Sequence, residues 1–254
     1  MIVITGPGRS GTSLVAQICR DLGLDPGGMW NPAARAGFED REIVRANRMI
    51  IQELGIRGSG RRFGFLPDER FPSPVKTFAK SMLPEQRQRQ LRSILRHPPW
   101  RSRHVMDAIR WDRFGGVVER HGAMLRELAA ARPASKDPSF CWTLAIWCAA
   151  EAPIDHVVIA IRSLDAMAQS RVSQDWLSPR SLGAIKNWFA YGFGLLMSAV
   201  YDHRLSYGIA RFPDFLQDPE QLYRALRFPG PVSYDRFLEV FRQHVKPDFV
   251  HDQR

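Results

Sequence analysis

The sequence predicts an α/β fold of three layers, α/β/α, around a central parallel sheet. Three observations carry that reading. The chain opens on a short apolar run, Met1-Ile2-Val3-Ile4-Thr5, that passes directly into a glycine-rich turn and then an amphipathic helix. A second apolar run, His156-Val157-Val158-Ile159-Ala160-Ile161, is likewise followed by a helical stretch. Strand-like and helix-like segments alternate, which implies crossover connections and a parallel sheet with its ligand edge at the carboxyl ends of the strands. At 254 residues the chain is long enough for one such domain with a sizeable core. A single domain over residues 1–254 is expected, with a helical insertion over roughly residues 57–130.

Each element has its own justification. Leu14, Val15, Ile18, Cys19 and Leu22 recur at helical spacing, and Gly23 is placed as a C-terminal cap. Residues 25–32 are loop by their Pro and Gly punctuation. Glu39 to about Leu54 reads as a helix with Ile43, Met49, Ile50 and Leu54 as its apolar positions. Residues 57–62 form a basic turn, and 63–103 are proline-punctuated and basic, with a helix near 85–95. Helices are expected at 116–131 and 140–150, a strand at 156–161 with a helix after it, and a long helix at 181–203. Residues 205–211 read as the last core strand, followed by helices at 219–228 and near 233–245.

The first turn carries the chemistry. Gly6-Pro7-Gly8-Arg9-Ser10-Gly11-Thr12-Ser13 lies between strand and helix, where backbone N–H groups and the positive helix end bind an anion. A nucleoside triphosphatase loop has G-x-x-x-x-G-K-[ST], its lysine reaching the terminal phosphates. Here the spacing is kept, but Thr12 stands in the lysine's place and the one cation is Arg9. Nucleoside triphosphate hydrolysis is therefore not expected, and a different anion suits the loop.

The stretch Pro7-Gly8-Arg9-Ser10-Gly11-Thr12-Ser13 resembles the 5′-phosphosulfate loop of sulfotransferases that use PAPS (3′-phosphoadenosine 5′-phosphosulfate). A second family motif, a strand ending in Arg with Ser eight residues on, is matched by Arg162 and Ser170. In the family these two hold the 3′-phosphate, and guanidinium and phosphate suit each other as a bidentate pair. The family usually follows this Arg with Asp-Pro, whereas Ser163-Leu164 follow here. Gly37-Phe38-Glu39-Asp40, with Asn47 on the helix after it, resembles the acidic segment of bacterial members. Ser135-Lys136-Asp137-Pro138 resembles their Lys-x-Pro segment. The resemblance covers residues 1–50 and 133–215 best.

The resemblance implies a P-loop-type sheet and in-line transfer of the sulfuryl group of PAPS, with PAP (3′-phosphoadenosine 5′-phosphate) as product. It implies a cofactor site made of Gly8, Arg9, Ser10, Gly11, Thr12, Ser13, Arg162 and Ser170. Arg9 is the expected leaving-group cation, Lys136 reaches the sulfuryl group, and Glu39 is the first choice of base. Glu39 and Asp40 are also placed to serve the helix N-terminus, and His104 and His121 are fallback bases. Arg9 and the helix end can carry the charge without a metal ion. Trp188 and Tyr191 stand at helical spacing and serve either an acceptor pocket or the core.

Bulk composition narrows the rest. The chain is 44% hydrophobic and 24% charged, an ordinary globular balance. No apolar run approaches a membrane span of roughly 20 residues. Met1 leads straight into the loop without the basic and apolar regions of a signal peptide, so a cytoplasmic protein is expected. Cys19, Cys141 and Cys148 read as buried free thiols, and the seven histidines have no ligand spacing, so no metal is expected. The net charge of +10 suits an anionic co-substrate and also polyanions. Residues 57–103 hold twelve basic and three acidic residues, fit for a lid, an acidic acceptor or a solvated face. Two other classes remain: a P-loop small-molecule kinase and a basic, non-catalytic nucleic-acid-binding protein. The kinase leaves Arg162 and Ser170 unexplained. Stable nucleic-acid binding is not expected, because few aromatics interleave the basic residues. The expected acceptor is a small molecule, sugar or lipid hydroxyl.

Overall fold

The computed structural model describes residues 1–28, 30–31, 36–56, 109–174, 182–228 and 230–245. Four strands, β1 (Ile2–Thr5), β4 (Ala134–Lys136), β5 (His156–Ile161) and β6 (Tyr207–Arg211), form one sheet in the order β4-β1-β5-β6, every pair parallel. A small antiparallel ribbon joins β2 (Trp30–Asn31) to β3 (Ala36–Gly37). The fold class is α/β with an all-parallel central sheet, as the alternation of strands and helices predicts.

Alternation along the strands divides the core into two parts. Val3, Val157 and Ile159 face a cluster with helices α2 (Arg41–Glu53), α3 (Phe114–Ala130), α4 (Phe140–Ala149), α5 (Leu164–Gln174) and α6 (Leu182–Asp202). Ile2, Ile4, Val158, Ala160 and Ala210 face the other side. There α1 (Thr12–Asp21), α7 (Asp214–Gln217), α8 (Pro219–Ala225) and α9 (Tyr234–His244) cover them. The chain thus leaves β1 onto one face of the sheet but leaves both its neighbours, β4 and β5, onto the other. Such reversals open crevices at the carboxyl ends of adjacent strands. The loop after β1 is flanked by one on each side.

Local chemistry explains the element ends. In α1, Val15, Ile18 and Cys19 are buried, and the Gly23 N–H bonds to Arg20 O while Leu24 N–H bonds to Cys19 O. Gly23 has φ +90°, the left-handed C-terminal cap that its position predicts. Strand β5 has the expected bounds. Helix α4 is apolar all round, and Phe140, Trp142 and Trp147 are buried in it.

Several expectations need correction. Helix α2 starts at Arg41, not Glu39, because Asp40 caps it by accepting from the N–H groups of Glu42 and Ile43. The three-residue strand β4 and the ribbon were not expected. Strand β6 starts at Tyr207 and is an edge strand with Tyr207 and Ile209 exposed. Helix α8 ends at Ala225, and the short helix α7 precedes it. Of the expected insertion, residues 57–108, with the helix near 85–95, the basic segment and His104, lie outside the described residues. The remainder includes α3, whose Val117, Leu125 and Ala129 are buried against α2 and α4. Among the described residues no helix is long and apolar enough to cross a membrane.

Candidate anion site at the carboxyl edge

The turn after β1 is shaped by backbone geometry that side chains resist. Gly6 has φ +151°, and a Cβ there would lie 2.0 Å from Ala160 O. Gly11 has φ +94° and lies against Phe212, whose ring carbons a Cβ would meet at 3.0 to 3.2 Å. Arg9 has φ +74°, a strained value for a non-glycine residue. Left-handed residues at 9 and 11 around Ser10 give the backbone pattern of an anion nest. Helix α1 then starts at Thr12 with no side-chain cap on its N–H groups and no acidic residue in its first turn. Ser10 is wholly buried, and its Oγ makes no hydrogen bond among the described residues. That hydroxyl sits where a Cβ on Gly6 would meet it at 2.8 Å. Gly8 is half-buried beside Phe189 and has room for a Cβ at 3.7 Å, so its small size is not demanded by the fold.

On the β5 side of this turn three of the expected residues converge. The Arg9 Nε–H donates to Ser170 Oγ at 3.1 Å, bridging the β1 turn and α5. Arg162, directly after β5, holds its guanidinium 5.1 Å from the centre of the Phe212 ring. Phe212 follows β6, so its ring touches both Gly11 and Arg162 and ties three strand ends together.

On the β4 side stands a different group. Lys136 ends β4 and is 1% exposed; its Nζ donates to Glu39 Oε1 at 2.5 Å. Burial pushes the Glu39 carboxyl above its usual range, against the pull of Lys136 and with the push of Asp137. Phe38, just before it, has φ +62° and lies under the Arg20 guanidinium. Arg9 and Phe38 are thus left-handed residues at the carboxyl edge, whereas Glu151 and Arg204, the other two non-glycines with positive φ among the described residues, lie just past helix ends. Asp40 accepts from Arg132 Nε at 2.9 Å, which fastens the start of α2 to the approach of β4. That pairing and its capping bonds hold Asp40 below the ordinary carboxylate range despite partial burial.

The remaining candidates lie elsewhere. His121 pairs with Glu53 at the last residue of α2, about 20 Å along the helix from Glu39, so it is no base for this edge. Trp188 is buried and stacked on Trp142 at 3.9 Å, with Tyr191 beside Trp142; the aromatic stripe is core. Burial pushes Cys19 and Cys141 to about 12, and Cys148 as well, so none is a nucleophile near neutrality. Among the described residues no three His, Cys, Asp or Glu side chains gather as metal ligands. Open clefts of about 570 and 350 Å³ lie beside Asp21 and Ser233 and beside Gly208 and Gln221, and neither includes a residue of the turn.

The arrangement gives the β1 turn the backbone shape of an anion cradle and places a second cation, Arg162, on one side and a carboxyl–ammonium pair on the other. Sequence reasoning missed the bonds of Asn47, whose partners are 90 to 100 residues away. No family model, curated protein or solved structure matches this chain.

Proposed function

We propose that this chain is a PAPS-dependent sulfotransferase that sulfates a hydroxyl of a small-molecule, sugar or lipid acceptor. One observation carries the reading: Arg9 and Ser170, named by two separate motifs, are in hydrogen-bond contact across the crevice between β1 and β5. On this reading the fold is the P-loop type of three-layer α/β/α. PAPS, when bound, supplies the activated sulfuryl group.

The residues suit that anion. The Ser10 hydroxyl is buried and makes no hydrogen bond among the described residues, Gly6 leaves the cradle open, and the start of α1 has no side-chain cap among them. Backbone N–H groups from Ser10 to Ser13 hold the 5′-phosphosulfate, helped by the Thr12 and Ser13 hydroxyls. Arg162 and Ser170 hold the 3′-phosphate, and Arg9 neutralises charge on the leaving side. Glu39 Oε1 accepts the proton of the acceptor hydroxyl, and its raised carboxyl makes it a stronger base than an ordinary glutamate. Lys136 turns its ammonium from Glu39 toward the transferring group. No divalent metal is needed where these cations supply the charge.

Calorimetric titration with PAP, 5′-AMP and ATP, in wild type and Arg162→Ala, tests the reading. Micromolar PAP binding, much weaker for 5′-AMP and lost in the variant, is expected. Equal binding of all three, or preference for ATP, would overturn it.

A further inference from the structure

An asparagine is a poor helix former, yet Asn47 lies in the middle of α2 with no exposure at all. Both ends of its amide are bonded. Trp147 Nε1 donates to Asn47 Oδ1 at 2.8 Å, and Thr143 Oγ1 donates to the same oxygen at 2.6 Å. Indole nitrogen is a donor only, so the amide oxygen must face α4. The amide nitrogen is thereby turned the other way, and it donates to Asp137 Oδ2 at 2.8 Å. Asp137 is 3% exposed and is fixed at every polar group. Its Oδ1 accepts from Ser139 N–H at 2.8 Å, its carbonyl accepts from Thr5 Oγ1 at 3.0 Å, and its N–H donates to Ile4 O at 3.2 Å. The residue before it is Lys136.

From this chain of contacts we infer that Asn47 is a positioning residue that sets the Lys136–Glu39 pair by holding the Asp137 carboxylate. The inference rests on the proposed function for its catalytic meaning, but not for its physics. Asp137 pushes the Glu39 carboxyl upward, so its placement tunes the base. It also fixes the backbone from which Lys136 reaches Glu39. An Asp137 carboxylate deprived of its amide donor competes with Glu39 for the Lys136 ammonium. Glu39 then loses its cation and holds its proton more tightly.

The test is a carbon-13 NMR titration of the Glu39 carboxyl in wild type, Asn47→Leu and Asn47→Asp, assigned with Glu39→Gln. Asn47→Leu keeps the volume and removes all three bonds. Its Glu39 midpoint is expected to rise by at least about half a pH unit. Asn47→Asp keeps the acceptor toward Trp147 and Thr143 and, with a proton shared between the two carboxyls, the donor toward Asp137. Below the pH at which that proton leaves, its Glu39 midpoint is expected to match wild type. A lower melting temperature in Asn47→Leu with an unmoved Glu39 midpoint would overturn the inference, since a merely structural asparagine gives that result. If Asn47→Leu does not fold, Asn47→Ala, which also removes all three bonds, is titrated in its place, and an unmoved midpoint there overturns it equally. PAP titration of the same proteins separates the two proposals: failure of wild type to bind PAP removes the sulfotransferase reading and leaves the Glu39 result standing.

Discussion

Arg9 and Ser170 are 161 residues apart in sequence, and the Nε–H of one donates to the hydroxyl of the other at 3.1 Å. The bond spans the crevice between β1 and β5, so the loop after β1 and the helix after β5 form one surface. Removing the hydroxyl should leave the fold intact and weaken an anion held there. Ser170→Ala is expected to lower PAP affinity by roughly 10-fold, as for one hydrogen bond to a charged group. Calorimetry checks the affinity, and a melting curve matching wild type checks the fold.

The Lys136–Glu39 pair should show in the pH dependence of stability. Burial raises the folded-state value of Glu39 above its ordinary 4.5, so the folded chain holds that proton more tightly than the unfolded chain. This contribution is fully present below the ordinary value and is lost as pH rises through the folded one. Wild type should therefore lose stability relative to Glu39→Gln as pH is raised from about 4 to 7. Parallel denaturant titrations of the two proteins measure the difference; a constant gap across that range would contradict the raised value.

Lys136→Met acts on the same pair from the other side. It leaves a carboxyl 10% exposed with its cation removed. A cost of about 3 kcal/mol at neutral pH is expected, smaller in acid where Glu39 takes up a proton. Urea unfolding at two pH values reads both parts of that statement.

His156 begins β5, nearly buried, with Nδ1 at 2.9 Å from Ser206 Oγ and Nε2 at 3.0 Å from Ala225 O. Burial lowers its pKa below the ordinary 6.5, against the pull of the Ala225 carbonyl, and Arg227 lowers it further. Stability from the neutral ring is present above the ordinary value and is lost as pH falls through the lowered one. Melting temperatures of wild type should fall more steeply than those of His156→Gln as pH drops below about 6.5. Equal slopes would show that the ring is not held neutral.

Gly6→Ala would force a Cβ to within 2.0 Å of Ala160 O. Such overpacking costs about 3 kcal/mol or more, unless β1 and β5 part. In a protein of this size that is a fall of roughly 6 to 12 °C in melting temperature, readable by calorimetry.

Much of this was legible because apolar runs are local signals. The six residues of β5 are continuous and apolar up to Arg162, so their bounds could be read directly. Gly23 and the face of α1 were legible for the same reason. Strand β4 was not, because Ala-Ser-Lys carries no strand signature and becomes a strand only by pairing with Ile2, Val3 and Ile4. Glu39 was read into a helix because carboxylates favour helix starts. Its contact with Lys136, 97 residues away, exists only in the fold. Asn47 was noticed for its place beside the acidic segment, but nothing local says that Trp147 fixes which way its amide faces.

All four described strands of the main sheet run the same way, so their amino ends share the edge opposite the β1 turn. There the chain turns back at Glu151 and Arg204, both exposed and both just past a helix. A dye, an affinity anchor or a surface tether attached at either residue faces away from the β1 turn. The protein can be gripped by its back while its front is left free.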